Sequence, residues 1–496
     1  MAAAAASSTE ASHVAPRFHA LLLPFPAQGH VIPFMEVAHC LLDRGFAVTF
    51  VNTEHNHRRV LAAAVGAAAT SAGNRSQLRL VGVADGMDDT EDRDNFVRLN
   101  ATMKEAIPPH LEALLDGSGG EGQGEVGLGK VTCVVVDVGM AWALDAAKRR
   151  GLPSAALWAA SAAVLAVLLG AQKLIRDGVI DDDGRPLNLE DNLFRLTESM
   201  PPMDGTFMAW NFMGNRDAER MVFHYLTSTA RAAVAKADII LCNTFAELEP
   251  AVFTTGESPA AAILPVGPLH TGSERRSPSH QHLVGNFWQT ADDACLSFLD
   301  AQSHGSVVYV AFGSITVMST EQLQEIALGL EASARPFLWV VRPGLAGKLP
   351  APLLHPAAGH GNCRGMVVEW APQQRVLAHP AVGCFVTHCG WNSTLEAVRN
   401  GVPMLCWPYF TDQFTNQTYI CDIWQIGLRI SMVPNYVSGI VSKEIILDLL
   451  ERLLSDDGVK QRVQKLKELA EMNMGADGES ARNFNILVEH MTRSMP

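Results

Sequence analysis

WAPQQRVLAHPAVGCFVTHCGWNSTLEAVRNGVPMLCWPYFTDQ, residues 370 to 413, crowds tryptophan, histidine, amide and carboxylate side chains around one strand–turn–helix unit. Val382 to Thr387 is a short apolar run of strand type. His388-Cys389-Gly390-Trp391 reads as a turn. Asn392-Ser393-Thr394 supplies residues of the N-cap type, and a helix is expected to run to about Asn400 before Gly401 stops it. A helix that starts after a strand offers unpaired backbone N–H groups and the positive end of its dipole, which suits a phosphate. Asn392 and Ser393 stand where their side chains add donors, and His388 can add a third.

This stretch resembles the 44-residue signature of plant secondary-product UDP-glycosyltransferases, without a gap from Trp370 to Asp412-Gln413. The wider resemblance runs from about Phe18 to the C-terminus. It implies the GT-B fold, an α/β architecture of two Rossmann-like domains with parallel sheets facing across a cleft, and a reaction that needs no metal. It further implies that Trp370 stacks on uracil with the Ala371 backbone at its edge, and that Gln373 and Glu396 hold the ribose. His388, Asn392, Ser393 and Ser314 would hold the diphosphate; Trp391, Asp412 and Gln413 would face the sugar. Gln at the last position is usual for glucose users. Each role is chemically sensible: an aromatic face is a base platform, and a carboxylate accepts from two vicinal hydroxyls. Taken singly, these tryptophans would read as core aromatics and Glu396 as a solvated helix residue. The ordered set in its strand–turn–helix context is what carries the reading.

Composition agrees with a large soluble protein. At 496 residues the chain exceeds one ordinary core, and two α/β domains fit. Apolar content of 48% and a charged fraction of 18% exclude a disordered chain. A net charge of −14 argues against nucleic-acid and anionic-membrane partners. An anion site must therefore be built locally, from helix ends and a few side chains. Nine scattered cysteines without C-x-x-C pairs suggest reduced thiols and a cytoplasmic location. Residues 1–17 lack the basic start and apolar core of a secretory leader and read as a flexible tail. Ser154 to Ala171 carries no charge over 18 residues, but reads as a buried strand and helix rather than a membrane span.

Strand-type runs alternate with amphipathic helices along the chain. They are Phe18–Phe25, Val48–Thr53, Leu78–Val83, Val131–Asp137, Ser154–Trp158 and Ile239–Asn243, then Ser306–Phe312, Phe337–Val341, Met366–Glu369, Val382–Thr387, Pro403–Trp407 and Leu428–Ser431. Short, fully apolar strands between helices imply parallel sheets covered on both faces. An acceptor-binding domain is expected over 18–264, a linker over 265–282 and a UDP-sugar domain over 283–478. By resemblance the last helix (479–496) packs back on the first domain. Gly122 to Gly127 fits G-x-G-x-x-G, but it lacks the preceding strand and following helix that a dinucleotide site needs. Asp181-Asp182-Asp183 lies in a Gly/Asp turn and reads as a solvated loop rather than a metal site.

Pro24-Phe25-Pro26-Ala27-Gln28-Gly29-His30 follows the first strand and precedes a helix. In open α/β sheets the carboxyl ends of the strands face the ligand crevice, which places His30 there, and the fourth strand ends at Asp137 on the same edge. Paired, the two would form a base and its orienting carboxylate, matching the family's His–Asp dyad. Asn52-Thr53-Glu54 reads as structural or as acceptor rim. Met87, Trp142, Phe207, Met208, Trp210 and Phe212 are candidates for an apolar acceptor pocket. The expected reaction is inverting transfer of glucose from UDP-glucose to a hydroxyl or carboxyl of a small plant metabolite, with flavonoids and other phenylpropanoids foremost. The donor is a substrate, no cofactor is expected, and a monomer is the default. The alternatives are a non-catalytic binder of UDP-sugar or small molecules, or a transferase using another UDP-sugar.

Overall fold

A computed structural model of the chain describes residues 17–64, 77–93, 95–117, 128–188, 192–211, 214–253, 263–269, 287, 292–314, 316–342, 345, 347, 349, 364–430 and 439–493. The architecture is α/β, with two parallel sheets. The first contains β1 (His19–Leu23), β2 (Ala47–Thr53), β3 (Leu78–Val83), β4 (Cys133–Asp137), β5 (Ser154–Trp158), β6 (Ile239–Cys242) and β7 (Ile263–Pro265), in the order 3-2-1-4-5-6-7. The second contains β8 (Val307–Ala311), β9 (Phe337–Val340), β10 (Gly365–Val368), β11 (Val382–Thr387), β12 (Met404–Cys406) and β13 (Gly427–Arg429), in the order 10-9-8-11-12-13. All twelve expected strands are present, most of them trimmed at their ends.

Burial explains why these strands read as apolar runs. Every residue of β1, β2, β4 and β5 is buried. Successive residues enter different cores: Leu21, Leu23, Val134 and Val136 lie in one cluster, Ala20, Leu22, Cys133 and Val135 in another. Both sheet faces are covered, as parallel strands require. Ser154–Trp158 followed by the helix Ala162–Leu169 resolves the uncharged stretch into a strand and a buried helix. No helix among the described residues is long and apolar enough to cross a membrane.

Some features lie apart from the sequence reading. β7 has only three residues, too few to register as a run, and it brings Pro265 into the first sheet rather than into a linker. The tail apart from Arg17, the linker stretch 270–282 and the Gly122–Gly127 pattern lie outside the described residues. Asp181 and Asp183 sit in a turn, where Asp181 Oδ1 accepts the N–H groups of Asp183 and Arg185, and Asp183 pairs with His224.

Three helices recur below: α1 (Gln28–Leu42), α2 (Trp391–Asn400) and α3 (Glu479–Met491). α3 follows the second sheet in sequence but packs on the first. Phe484, Leu487 and Met491 join the core of Leu22, Phe34 and Phe50, while Asn483 Nδ2 donates to Pro265 O at 2.9 Å and Ser480 Oγ to Gly267 O at 2.6 Å.

Candidate active site

In each sheet the strand order reverses once, between β1 and β4 and between β8 and β11. Crevices form where such connections part to opposite faces. A cleft of about 2040 Å³ is lined by residues from both of these strand edges. That exceeds the roughly 300–1,000 Å³ of a single small-ligand site, so there is room for two substrates.

On the first sheet the first turn of α1 presents His30 and β4 ends at Asp137. His30 Nδ1 lies 2.7 Å from Asp137 Oδ2. The carboxylate is itself aimed, because its Oδ1 accepts Gly139 N–H at 2.8 Å in the following turn. A carboxylate only accepts, so Nδ1 carries the proton and neutral His30 keeps its lone pair on Nε2. Asp137 is buried, whereas the His30 side chain is 36% exposed, open to the cleft. Burial alone would lower the His30 pKa. The charge and hydrogen bond of Asp137, with a contribution from Asp412, outweigh it and hold the pKa above the ordinary histidine value.

On the second sheet β11 leads into the turn Thr387–Gly390 and then α2. The helix begins at Trp391, with Gly390 as its N-cap and no capping side chain. Asn392 and Ser393 are therefore first-turn residues, not caps as their types suggested. The uncapped first turn leaves its N–H groups for a ligand. His388 is wedged between two glycines: a Cβ at Gly390 would stand 2.4 Å from its Nε2, and one at Gly313 2.6 Å. Burial drives the His388 pKa down to about 4, so the ring is neutral near pH 7. Its Nδ1, and the Thr316 hydroxyl nearby in the cleft wall, make no hydrogen bond among the described residues. Ser314 lines the same wall, its loop held by Arg342, which donates to the carbonyls of Ser314 and Thr316 at 2.6 Å each.

Farther along, Gln373 organises a polar network. Its Nε2 donates to Ser393 Oγ at 2.8 Å and to Glu396 Oε2 at 2.7 Å, while its Oε1 accepts Tyr309 O–H at 3.2 Å. Burial raises the Glu396 carboxyl to about 7, against the hydrogen bonds from Gln373 and Gln374 that favour its ionised form. Trp370 and Ala371 line the cleft beside this network. At the other end, Asp412 accepts from Thr411 Oγ1 at 3.0 Å and Asn416 Nδ2 at 2.9 Å. Burial raises its pKa, opposed by those bonds. Gln413 commits its Oε1 to the N–H groups of Tyr409 and Phe410. Trp391 reaches the cleft but is 3% exposed, its indole N–H donating to Asn243 O at 2.7 Å.

The expected acceptor pocket is corrected in most of its members. Met208 and Trp210 are core residues, 2% and 1% exposed; the Trp210 ring packs tilted against Phe223 at 5.0 Å and its indole N–H donates to Gly184 O at 2.7 Å. Phe207 stacks on Phe414, and Trp142 packs against the main core. Met87 borders a small pocket that adjoins the cleft through Asp85 and Arg93, which line both, and Phe212 lies outside the described residues. The cleft near His30 is walled instead by Phe25, Phe96 and Tyr225. Phe25 stands 5.3 Å from the His30 ring and 5.7 Å from Phe96, which meets Tyr225 edge-on at 4.9 Å. The Tyr225 hydroxyl donates to Gly139 O at 2.6 Å, beside Asp137. Thr53 lines the cleft while Asn52 is buried away from it. The aromatics at 96 and 225 come from helices far apart in sequence, and no local pattern marks them.

Residues 289–471 match the family model described as "UDP-glucoronosyl and UDP-glucosyl transferase". The chain is 35% identical over 474 residues to UDP-glycosyltransferase 83A1 of Arabidopsis thaliana, covering 95% of this chain and 96% of that protein. It is 34% identical to the (R)-mandelonitrile beta-glucosyltransferase of Prunus dulcis, covering 93% and 94%. Among solved structures it is similar to a UDP-glucosyltransferase from Polygonum tinctorium capable of glucosylating indoxyl, in a complex with 3,4-dichloroaniline. There the TM-score is 0.75 at 27% identity, covering 97% of this chain and all of the other.

Proposed function

This chain belongs to the UDP-glycosyltransferase family and has its GT-B fold, and on that premise we propose that it moves glucose from UDP-glucose to a hydroxyl on a small aromatic acceptor, inverting the anomeric centre. The carrying observation is the His30–Asp137 pair at one strand-order switch point, across a shared cleft from the uncapped start of α2 at the other. A carrier of UDP-sugar would have no use for an oriented base there.

His30 Nε2 takes the acceptor proton as the acceptor oxygen attacks the anomeric carbon. A phenol has a pKa near 10 and histidine one near 6.5, so proton loss accompanies attack rather than preceding it. The raised His30 pKa narrows that gap. Asp137 holds the tautomer and stabilises the imidazolium. UDP leaves from the opposite face, so an α-donor gives a β-glucoside. Charge developing on the diphosphate is met by the first-turn N–H groups of α2, Asn392, neutral His388 and Ser314, a donor set that supports a metal-independent reaction. Gln373 and Glu396 suit the ribose, Trp370 the base, and Asp412 with Gln413 the sugar hydroxyls.

Residues 18–264 carry the acceptor side and 283–478 the donor side, with 479–496 returning to the first. The Phe25–Phe96–Tyr225 wall supports a flat acceptor, of which phenylpropanoids and flavonoids are the class to try first. A monomer in the cytoplasm fits the acidic charge and scattered thiols. The test is product analysis from UDP-glucose with flavonoid, monolignol and cyanohydrin acceptors, in EDTA. A β-glucoside, identified by its anomeric proton coupling, is expected. An α-glucoside contradicts the inverting geometry, and activity restored only by a divalent cation contradicts metal independence.

A further inference from the structure

Asn243 follows β6, is 3% exposed and forms part of the cleft wall. Its groups are committed to two other segments, the first turn of α2 and the stretch after β7. Its carbonyl accepts the Trp391 indole N–H at 2.7 Å, its Oδ1 accepts Leu269 N–H at 2.8 Å, and its Nδ2 stands 3.5 Å from Asn392 Oδ1. Asn392 in turn donates from Nδ2 to Gly29 O at 2.6 Å, and Gly29 immediately precedes His30. The amide is closed in from behind: Gly267 N donates to Thr244 O, and a Cβ on Gly267 would lie 2.7 Å from Asn243 Oδ1. One hydrogen-bonded line thus runs from the end of β6, through the first turn of α2, to the first turn of α1, which carries His30.

We propose that Asn243 is a positioning residue for the transfer step, fixing the amide of Asn392 and so holding the start of α2 against the first turn of α1, which carries His30. This rests on the transferase reading above. An asparagine amide has an accepting end and a donating end. With Oδ1 turned to Asn243, Asn392 gives one N–H to Gly29 O and has a second to offer a diphosphate oxygen. Turned over, it would face Gly29 O and the anion with a carbonyl, repelling both. Asn243 thus selects the orientation that suits a leaving diphosphate and fixes where that diphosphate sits relative to the base. A misplacement of about 1 Å costs on the order of 10²-fold in rate.

The proposal is tested with Asn243→Ala, Asn392→Ala and the double variant, measuring kcat, KM for UDP-glucose and UDP affinity by calorimetry with an acceptor that the wild type turns over. Asn243→Ala is expected to lower kcat about 10–100-fold with the acceptor KM little changed, and the double variant to be no slower than Asn392→Ala, because both remove one device. Losses that multiply, an unchanged kcat, or an effect confined to KM for UDP-glucose would each overturn it. Because alanine also opens a buried cavity, Asn243→Asp serves as the second variant. It keeps the size and the bond from Leu269 N–H but presents only acceptors to Asn392. A folded Asn243→Asp with unchanged thermal midpoint and reduced kcat supports the proposal; one with wild-type kcat overturns it. A wild type that binds UDP yet glycosylates nothing overturns the functional reading itself, and this proposal with it.

Discussion

At the residue scale, the account turns on one histidine and the carboxylate behind it. Burial pulls the His30 pKa down and Asp137 pulls it up, with Asp137 and Asp412 together prevailing. The base must be neutral to act, so the acid limb of kcat/KM should fall above pH 6.5, the ordinary histidine value. In Asp137→Asn the pull of burial on the His30 pKa is left less opposed. The limb should move to lower pH while kcat drops about 10²–10³-fold. A pH-rate profile checks this; an unmoved limb would mean that another group titrates. His30 and Asp137 were legible in the sequence because Asp137 closes one β-strand and His30 starts the helix after another, at strand ends that must face the crevice. Phe96, Tyr225 and Asn243 were not, since nothing local distinguishes a cleft-facing aromatic or amide from a buried one. Trp210 illustrates the converse: its size and type suggested a pocket, and a hydrogen bond to Gly184 O keeps it in the core.

At the element scale, α2 is the part whose sequence says most. The turn residues, the stop at left-handed Gly401 and the polar face were all readable. Its start was read one residue or more too late, because Asn and Ser are common caps, whereas here glycine caps and the polar residues are released for the cleft. Glu396, on the second turn, offers a test of what that face is for. Its pKa in the folded protein, about 7, lies above the ordinary carboxylate value of 4.5. The associated stability is present below the unfolded pKa and is lost as pH rises through about 7. Glu396→Gln should therefore melt higher than the wild type at about pH 8 and close to it at about pH 4, by differential scanning calorimetry. If the ionised carboxylate takes the ribose hydroxyls, wild-type UDP affinity should strengthen over the same rise in pH, and the Gln variant should lose that dependence. A ribose-binding role is contradicted if both proteins bind UDP with the same affinity at every pH.

At the scale of the whole molecule, two sheets of like topology place two incomplete sites face to face. The alternation of apolar strands and helices made that architecture legible, down to twelve strands. A further strand of the first sheet, β7, escaped because three residues carry no periodicity. The return of α3 to the first sheet was expected from resemblance, since an amphipathic helix does not name its partner. Phe484 and Leu487 supply the physical reason, by filling the core beneath β1 and β2. On the proposed reading neither half does the chemistry alone: the first would hold a base without a leaving group, the second a diphosphate site without a base. The measurement that bears most directly on this division is acceptor-dependent UDP release from UDP-glucose by the wild type and by His30→Ala, with UDP affinity measured on both. The account predicts that His30→Ala loses most of its turnover, at least about 10²-fold, while binding UDP as the wild type does. Turnover that survives the substitution, or UDP affinity that collapses with it, would contradict the assignment of base and donor site to opposite walls of the cleft.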